Sequence, residues 1–100
     1  MTVARFHGEA RLEFLDVVAY YEAAEVGLGE RFRQSVEAAV ALAVSLPFAG
    51  SPYKHGTRRV FPKKFPFSIV YRVGENEIVI FAFAHFKRKP GYWKNRRRES

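Results

Sequence analysis

Histidine and arginine recur in the second half of the chain at spacings that suit phosphate chemistry. His85 closes an apolar run, Arg88 follows three residues later, and Pro90, Tyr92 and Trp93 come next. Histidine takes or gives a proton near neutral pH, and arginine holds phosphate oxygens through paired N–H donors. The bland alternative for His85 is a strand-end residue making one local hydrogen bond. Arg58 and Arg59 form a second cationic pair. Neighbours in an extended strand point to opposite faces. One of the two should therefore face the rest of the fold or an edge, and the other an open face where it can join His85. Charge that protects a strand edge is the competing reading. Lys63 and Lys64, with Lys54, Lys87, Lys89 and Lys94, make a basic rim that either tracks a nucleic-acid backbone or is a solvated loop face. Tyr92 could stack on a base. The single tryptophan, Trp93, is expected to bury, since one indole in so small a domain supplies core area.

Other chemistries are poorly provided for. The chain has no cysteine, which removes disulfides, thiolate metal sites and cysteine nucleophiles together. His7, His55 and His85 lie too far apart for zinc-type spacing, so neither a metal nor a cofactor is expected. Gly27 and Gly29 lack the pattern of a phosphate loop, and Ser45, Ser51 and Ser68 lack a nucleophile-elbow context. Glu9, Glu13 and Asp16 share a stripe on a helix and read as its solvated side. Residues Met1 to Ala10 have no apolar run of the secretory kind, and Ile78 to Ala84 is too short to cross a bilayer as a helix. The expectation is a cytoplasmic protein without membrane partners.

One hundred residues suffice for a single domain, 1–100. At 48% hydrophobic and 16% aromatic residues the chain should fold rather than stay disordered. Its net charge of +7 is unevenly placed. Residues 1–50 carry four arginines against seven acids, a balance of −3, whereas residues 51–100 carry thirteen lysines and arginines against three acids, a balance of +10. A polyanionic or acidic partner for the second half would explain that asymmetry. The run Lys94–Asn95–Arg96–Arg97–Arg98 reads as a tail that frays in solvent.

These residues need a scaffold, and the patterning supplies one. Val3 to Phe6 is a short first strand. Ala10, Phe14, Val17, Val18, Tyr21 and Ala24 gather on one face of a helix from Glu9 to about Ala24. Leu12, Leu15 and Ala19 lie outside that face, which predicts burial on more than one side. A second helix runs from about Gly29 to Ser45, with Phe32, Val36, Ala39, Ala43 and Leu46 as its stripe and Pro47 ending it. After a Pro- and Gly-rich loop the period becomes two. Strands are predicted over Thr57–Phe61, Phe67–Val73 and Glu77–His85, the last central in the sheet. A short helical turn after Pro90 completes the chain. The predicted class is α+β, in the order β-α-α-β-β-β. The helical hairpin covers one face of a small antiparallel sheet, and the other face is left open.

Several segments together resemble the RelE/ParE toxin superfamily. They are Tyr20–Tyr21, Leu28–Gly29–Glu30–Arg31–Phe32, Gly56–Thr57–Arg58–Arg59, Phe65–Pro66–Phe67–Ser68–Ile69–Val70–Tyr71 and His85–Phe86–Lys87–Arg88–Lys89–Pro90–Gly91–Tyr92–Trp93. The resemblance implies the toxin of a type II toxin–antitoxin module, neutralised by a cognate antitoxin in a hetero-oligomer. RelE-like members are metal-independent endoribonucleases that cut messenger RNA, commonly on the ribosome. ParE-like members poison DNA gyrase. Whether this chain is an enzyme therefore stays open. Under the ribonuclease reading, His85, Arg59, Arg88 and Tyr92 form the catalytic set. Under the binding reading, Arg58, Arg59, Lys63, Lys64, Phe81, Phe83, Lys87 and Arg88 form the contact surface. Strict alternation along the last strand places Phe81, Phe83 and His85 on one open face, and apolar residues there suit a protein better than RNA. The Phe-Pro-Phe and Pro-Gly-Tyr-Trp segments are closer to the ParE branch, which is the reading favoured.

Overall fold

The patterning of the first half produces two helices whose apolar stripes meet. A computed structural model, described over residues 2–96, places β1 at Val3–Phe6, α1 at Gly8–Ala24 and α2 at Leu28–Ser45. His7 caps α1, its Nδ1 accepting from the Glu9 N–H at 3.1 Å. Glu22 holds the start of α2 by accepting from the N–H groups of Gly27 at 2.9 Å and Gly29 at 3.0 Å, donors that have no partner inside a helix. Gly29 lets the helices approach: a Cβ there would lie 2.6 Å from the Val18 carbonyl oxygen.

The second half forms a five-stranded sheet in the order β1-β5-β4-β3-β2. Its further strands are β2 (Ser51–Pro52), β3 (Arg58–Val60), β4 (Phe67–Gly74) and β5 (Glu77–His85). β1 runs parallel to β5, and every other pairing is antiparallel. The predicted α+β class and helical hairpin are as expected, and β5 is flanked on both sides. The two-residue β2 lies in what the sequence presents only as loop. Phe32, Val36, Ala39 and Ala43 from α2 pack with Ile69, Tyr71, Ile78, Ile80 and Phe83 from the sheet, while Phe14, Val17, Val18 and Tyr21 of α1 close the layer. Tyr71 is wholly buried, and its hydroxyl donates to the Pro47 carbonyl at 2.7 Å.

Four expectations need correction. Leu12 and Leu15 are 62% and 48% exposed, so α1 buries one side only, and Leu46 is exposed as well. The segment after Pro90 forms turns rather than a helix. The outer face of the sheet is not left open, because Trp93 lies over Val70 and Ala82 there with Tyr53 beside it. The alternation along β5 is also broken. Val70 pairs with Ala82 and Tyr71 with Ile80, so Phe81 is an extra, bulged residue. Phe83 consequently turns into the helix-side core, and Phe81 lies beneath Arg72, whose guanidinium carbon is 5.3 Å from the ring centre. Phe81, Phe83 and His85 do not share an open face, and both phenylalanines are only 3% exposed.

The close approach of the helices is testable. Gly29→Ala should destabilise the fold by about 1–3 kcal/mol, the usual cost of overpacking, because the methyl group meets backbone. Urea denaturation monitored by far-UV circular dichroism would measure it, and an unchanged midpoint would contradict the packing described.

Candidate functional site

β1 ends at Phe6, opposite Ile80, so the far half of β5 has no strand on that side. Unpaired backbone groups at a sheet edge need partners, and side chains supply them. Glu13 on α1 accepts from the Phe83 N–H at 3.1 Å, and Arg96 donates to the Phe81 carbonyl at 2.6 Å. Arg96 also grips Glu13 through both guanidinium nitrogens, at 3.0 and 2.8 Å, and the Tyr92 hydroxyl donates to Glu13 Oε2 at 2.8 Å. Glu13 is thus not solvated, nor does the tail fray at Arg96, whose side chain is 10% exposed. Arg97 and Arg98 lie outside the described residues. Burial, together with the Glu13 carboxylate beside it, pushes the Tyr92 phenol far above its ordinary value. Burial works against the Arg96 charge, but Glu13 outweighs it and holds the guanidinium above its usual value.

On the outer face a cavity of about 250 Å³ opens near the end of β5, lined among others by Arg59, Ser68, His85 and Arg88. Arg58 and Arg59 leave β3 on opposite sides, as their partners show: Arg58 pairs with the core residue Tyr71, and Arg59 with Val70 of the outer face. Arg58 braces the loop after α2, donating to the carbonyls of Phe48 at 3.0 Å and Gly50 at 2.8 Å. Arg59 lies flat against Tyr53, its guanidinium carbon 3.9 Å from the ring centre. The Arg59 Nε is sealed from solvent and has no hydrogen-bond partner among the described residues. Such a donor costs about 1–3 kcal/mol when left unmet. Arg88 is stacked in the same manner on Tyr92, at 3.7 Å. His85 rests its ring edge-on against Phe67, and its Nδ1 accepts from the Lys87 N–H at 3.1 Å, which leaves Nε2 as the nitrogen that carries the proton in the neutral ring.

Three of the residues expected to do phosphate chemistry, Arg59, His85 and Arg88, therefore line one cavity. Tyr92 does not join them with its hydroxyl, which is engaged by Glu13. Lys63 and Lys64 lie elsewhere, on a larger groove of about 810 Å³ between α2 and the turn after β3. Leu42, Ala38, Phe61 and Phe65 give that groove an apolar lining, with Arg31, Lys63 and Lys64 at its sides. The Ser35 hydroxyl donates to the Lys63 carbonyl at 2.9 Å and ties the turn to the helix. Lys87 is exposed beside His85. Sequence reasoning missed Glu13, Arg96 and Tyr53. The first two meet across 83 positions and share no local pattern, whereas the proximity of an aromatic to Arg58–Arg59 was a usable sign for Tyr53. Among the described residues no cluster of three or more metal-ligating side chains occurs, and no helix is long and apolar enough to cross a membrane.

A helical hairpin laid on a sheet with a parallel N-terminal edge strand and an anchored C-terminal segment defines a toxin-type α+β domain of the RelE/ParE superfamily. Residues 4–90 match the family model described as the ParE toxin of the type II toxin–antitoxin system, parDE, and the chain belongs to that family. Among solved structures it is similar to a chain of the chromosomal ParDE TA system from P. aeruginosa. The TM-score is 0.63 at 22% identity, over 85% of this chain and 96% of that one, a likeness that speaks for the fold. No curated protein matches it. The chain is accordingly the toxin of a ParDE-like module, with a cognate antitoxin as partner.

Two outcomes follow from the cluster at the β5 edge. Glu13→Gln leaves the buried Arg96 charge with only the more exposed Glu9 carboxylate, 3.5 Å from its Nε, as counter-ion and should cost about 3 kcal/mol, read as a lowered urea midpoint. Stability should also fall as pH rises past about 10, the ordinary tyrosine value. The folded state keeps Tyr92 protonated where the unfolded chain ionises, so its contribution is complete below that value and fades above it. Tyr92→Phe should flatten this alkaline loss, and an equal slope in the variant would refute the assignment.

Proposed function

We propose that this toxin acts by gripping a protein, with DNA gyrase as the target that the ParE branch implies, and that RNA cleavage is not its activity. The observation that carries this reading is the groove along α2. Its lining is chiefly apolar, and Leu42 and Phe61 remain 49% and 44% exposed within it. Exposed apolar surface rimmed by charge is characteristic of protein contact, and Arg31, Lys63 and Lys64 suit an acidic protein segment. Support also comes from Tyr92. A phenol held by a carboxylate and pushed far up is badly suited to shuttle a proton at neutral pH.

The competing reading, a metal-independent endoribonuclease, is favoured by the shared cavity of Arg59, His85 and Arg88. It lacks a second proton carrier there of the kind Tyr92 was expected to provide. Purified chain added to a gyrase supercoiling reaction is expected to inhibit it or to accumulate cleaved complex. Lys63→Glu with Lys64→Glu should weaken the effect about tenfold, or roughly 1.4 kcal/mol. Absence of any effect on gyrase, together with RNA cleavage that disappears in His85→Ala, would transfer the function to the ribonuclease reading.

A further inference from the structure

We propose that the outer side of α1 is a two-fold contact between two copies of this chain, packed antiparallel with Leu15 of each against Ala19 of the other. This inference is independent of the gyrase reading, because the α2 groove is lined by α2 and the turn after β3 and takes no residue from α1.

α1 carries two apolar sides, and the fold uses one of them. Ala10, Phe14, Val17 and Tyr21 pack into the core. At 100° per residue, Leu12, Leu15, Ala19 and Ala23 fall within about 80° of one another on the opposite side, and all four are exposed. A lone exposed leucine needs no explanation. Apolar residues three and four apart, repeated along most of a 17-residue helix, make the seam pattern of paired helices. The alanines in the second half of the seam leave room for the leucines of a facing helix, and let two axes approach to about 8 Å.

Charge selects both the occupant and its direction. Arg11 and Glu22 lie on one flank of the seam, near its two ends, and Asp16 and Tyr20 lie on the other. In an antiparallel pair related by a two-fold axis, each flank meets the same flank of the other copy. With Leu15 against Ala19, Arg11 falls about 1.5 Å along the axis from Glu22 of the other copy, and Asp16 about 3 Å from its Tyr20. Symmetry makes each pairing twice. A parallel pair would set Arg11 beside Arg11 and Glu22 beside Glu22, which repel. The Arg11 guanidinium, the Asp16 carboxylate and the Tyr20 hydroxyl have no polar partner among the described residues. Glu22 accepts one backbone N–H on each oxygen, from Gly27 and Gly29, and keeps lone pairs for a cation. A single helix face buries less than about 1,200 Å² in total, the low end of specific interfaces, so the dimer should be weak and reversible.

Sedimentation equilibrium of the purified full-length chain, from about 2 to about 200 μM, is expected to show monomer and dimer exchanging with a Kd on the order of 10–100 μM. Leu15→Lys should weaken association at least tenfold, and Arg11→Glu, which sets like charges against each other, at least fivefold. Both variants should unfold within a few degrees of the parent chain, since neither side chain belongs to the core. Leu46→Lys removes an apolar side chain of similar exposure just after α2 and should change association less than twofold. The chain has no cysteine, so Leu12→Cys and Ala23→Cys can be mixed under oxidised glutathione. Antiparallel packing links one variant to the other faster than either to itself, and linkage chiefly within one variant contradicts it. A chain that stays monomeric throughout, association undiminished in both Leu15→Lys and Arg11→Glu, or an equal loss in Leu46→Lys overturns the proposal. A monomeric chain whose Leu15→Lys variant no longer captures antitoxin also overturns it, and gives this face to the antitoxin.

Discussion

An edge left bare on β5 is the constraint around which the C-terminal third of this protein is organised. β1 is too short to cover its neighbour, and the backbone beyond Ile80 would face solvent unpaired. Glu13, Tyr92 and Arg96 complete the edge with side chains and in doing so fasten residues 86–96 to α1. Much else depends on this fastening. Trp93 is carried onto the outer face of the sheet, and Tyr92 offers its ring to Arg88. The cavity therefore owes one wall to an ion pair on another side of the molecule.

The cationic side chains fall into two separate arrangements. Lysines 63 and 64 stand with Arg31 around an apolar groove, while Arg59 and the exposed Arg88 each lie against an aromatic ring. A lysine in solvent is steered toward any acidic surface, whereas a stacked arginine is pre-oriented for one geometry of partner. Arg58, next to Arg59 in sequence, belongs to neither group and serves the backbone of the loop after α2.

The elements were largely legible because their periods are clean. Phe32, Val36, Ala39 and Ala43 repeat at helical spacing, and Phe67 to Val73 alternates as a strand should. What could not be read was anything made by residues distant in sequence. The bulge at Phe81 leaves the apolar run unchanged while exchanging the faces of Phe83 and its neighbours, so a pattern-based assignment of the open face failed there. Glu13 looks like a solvated acid until Arg96 is seen beside it. At the candidate site, the nearness of Arg59, His85 and Arg88 was legible from their places on and just after the strands, and the engagement of Tyr92 was not, because its partner lies on α1.

The separation between Glu13 and Arg96 also bears on how the molecule is made. A contact spanning 83 positions closes a loop of nearly the whole chain, and long loops carry the greatest entropic penalty before any contact compensates it. The hairpin of β4 and β5 and the helix pair are local and can form first. Until the segment carrying Arg96 has docked, the edge of β5 beyond Ile80 lacks the side chains that cover it, and a bare strand edge is a template for pairing with another chain.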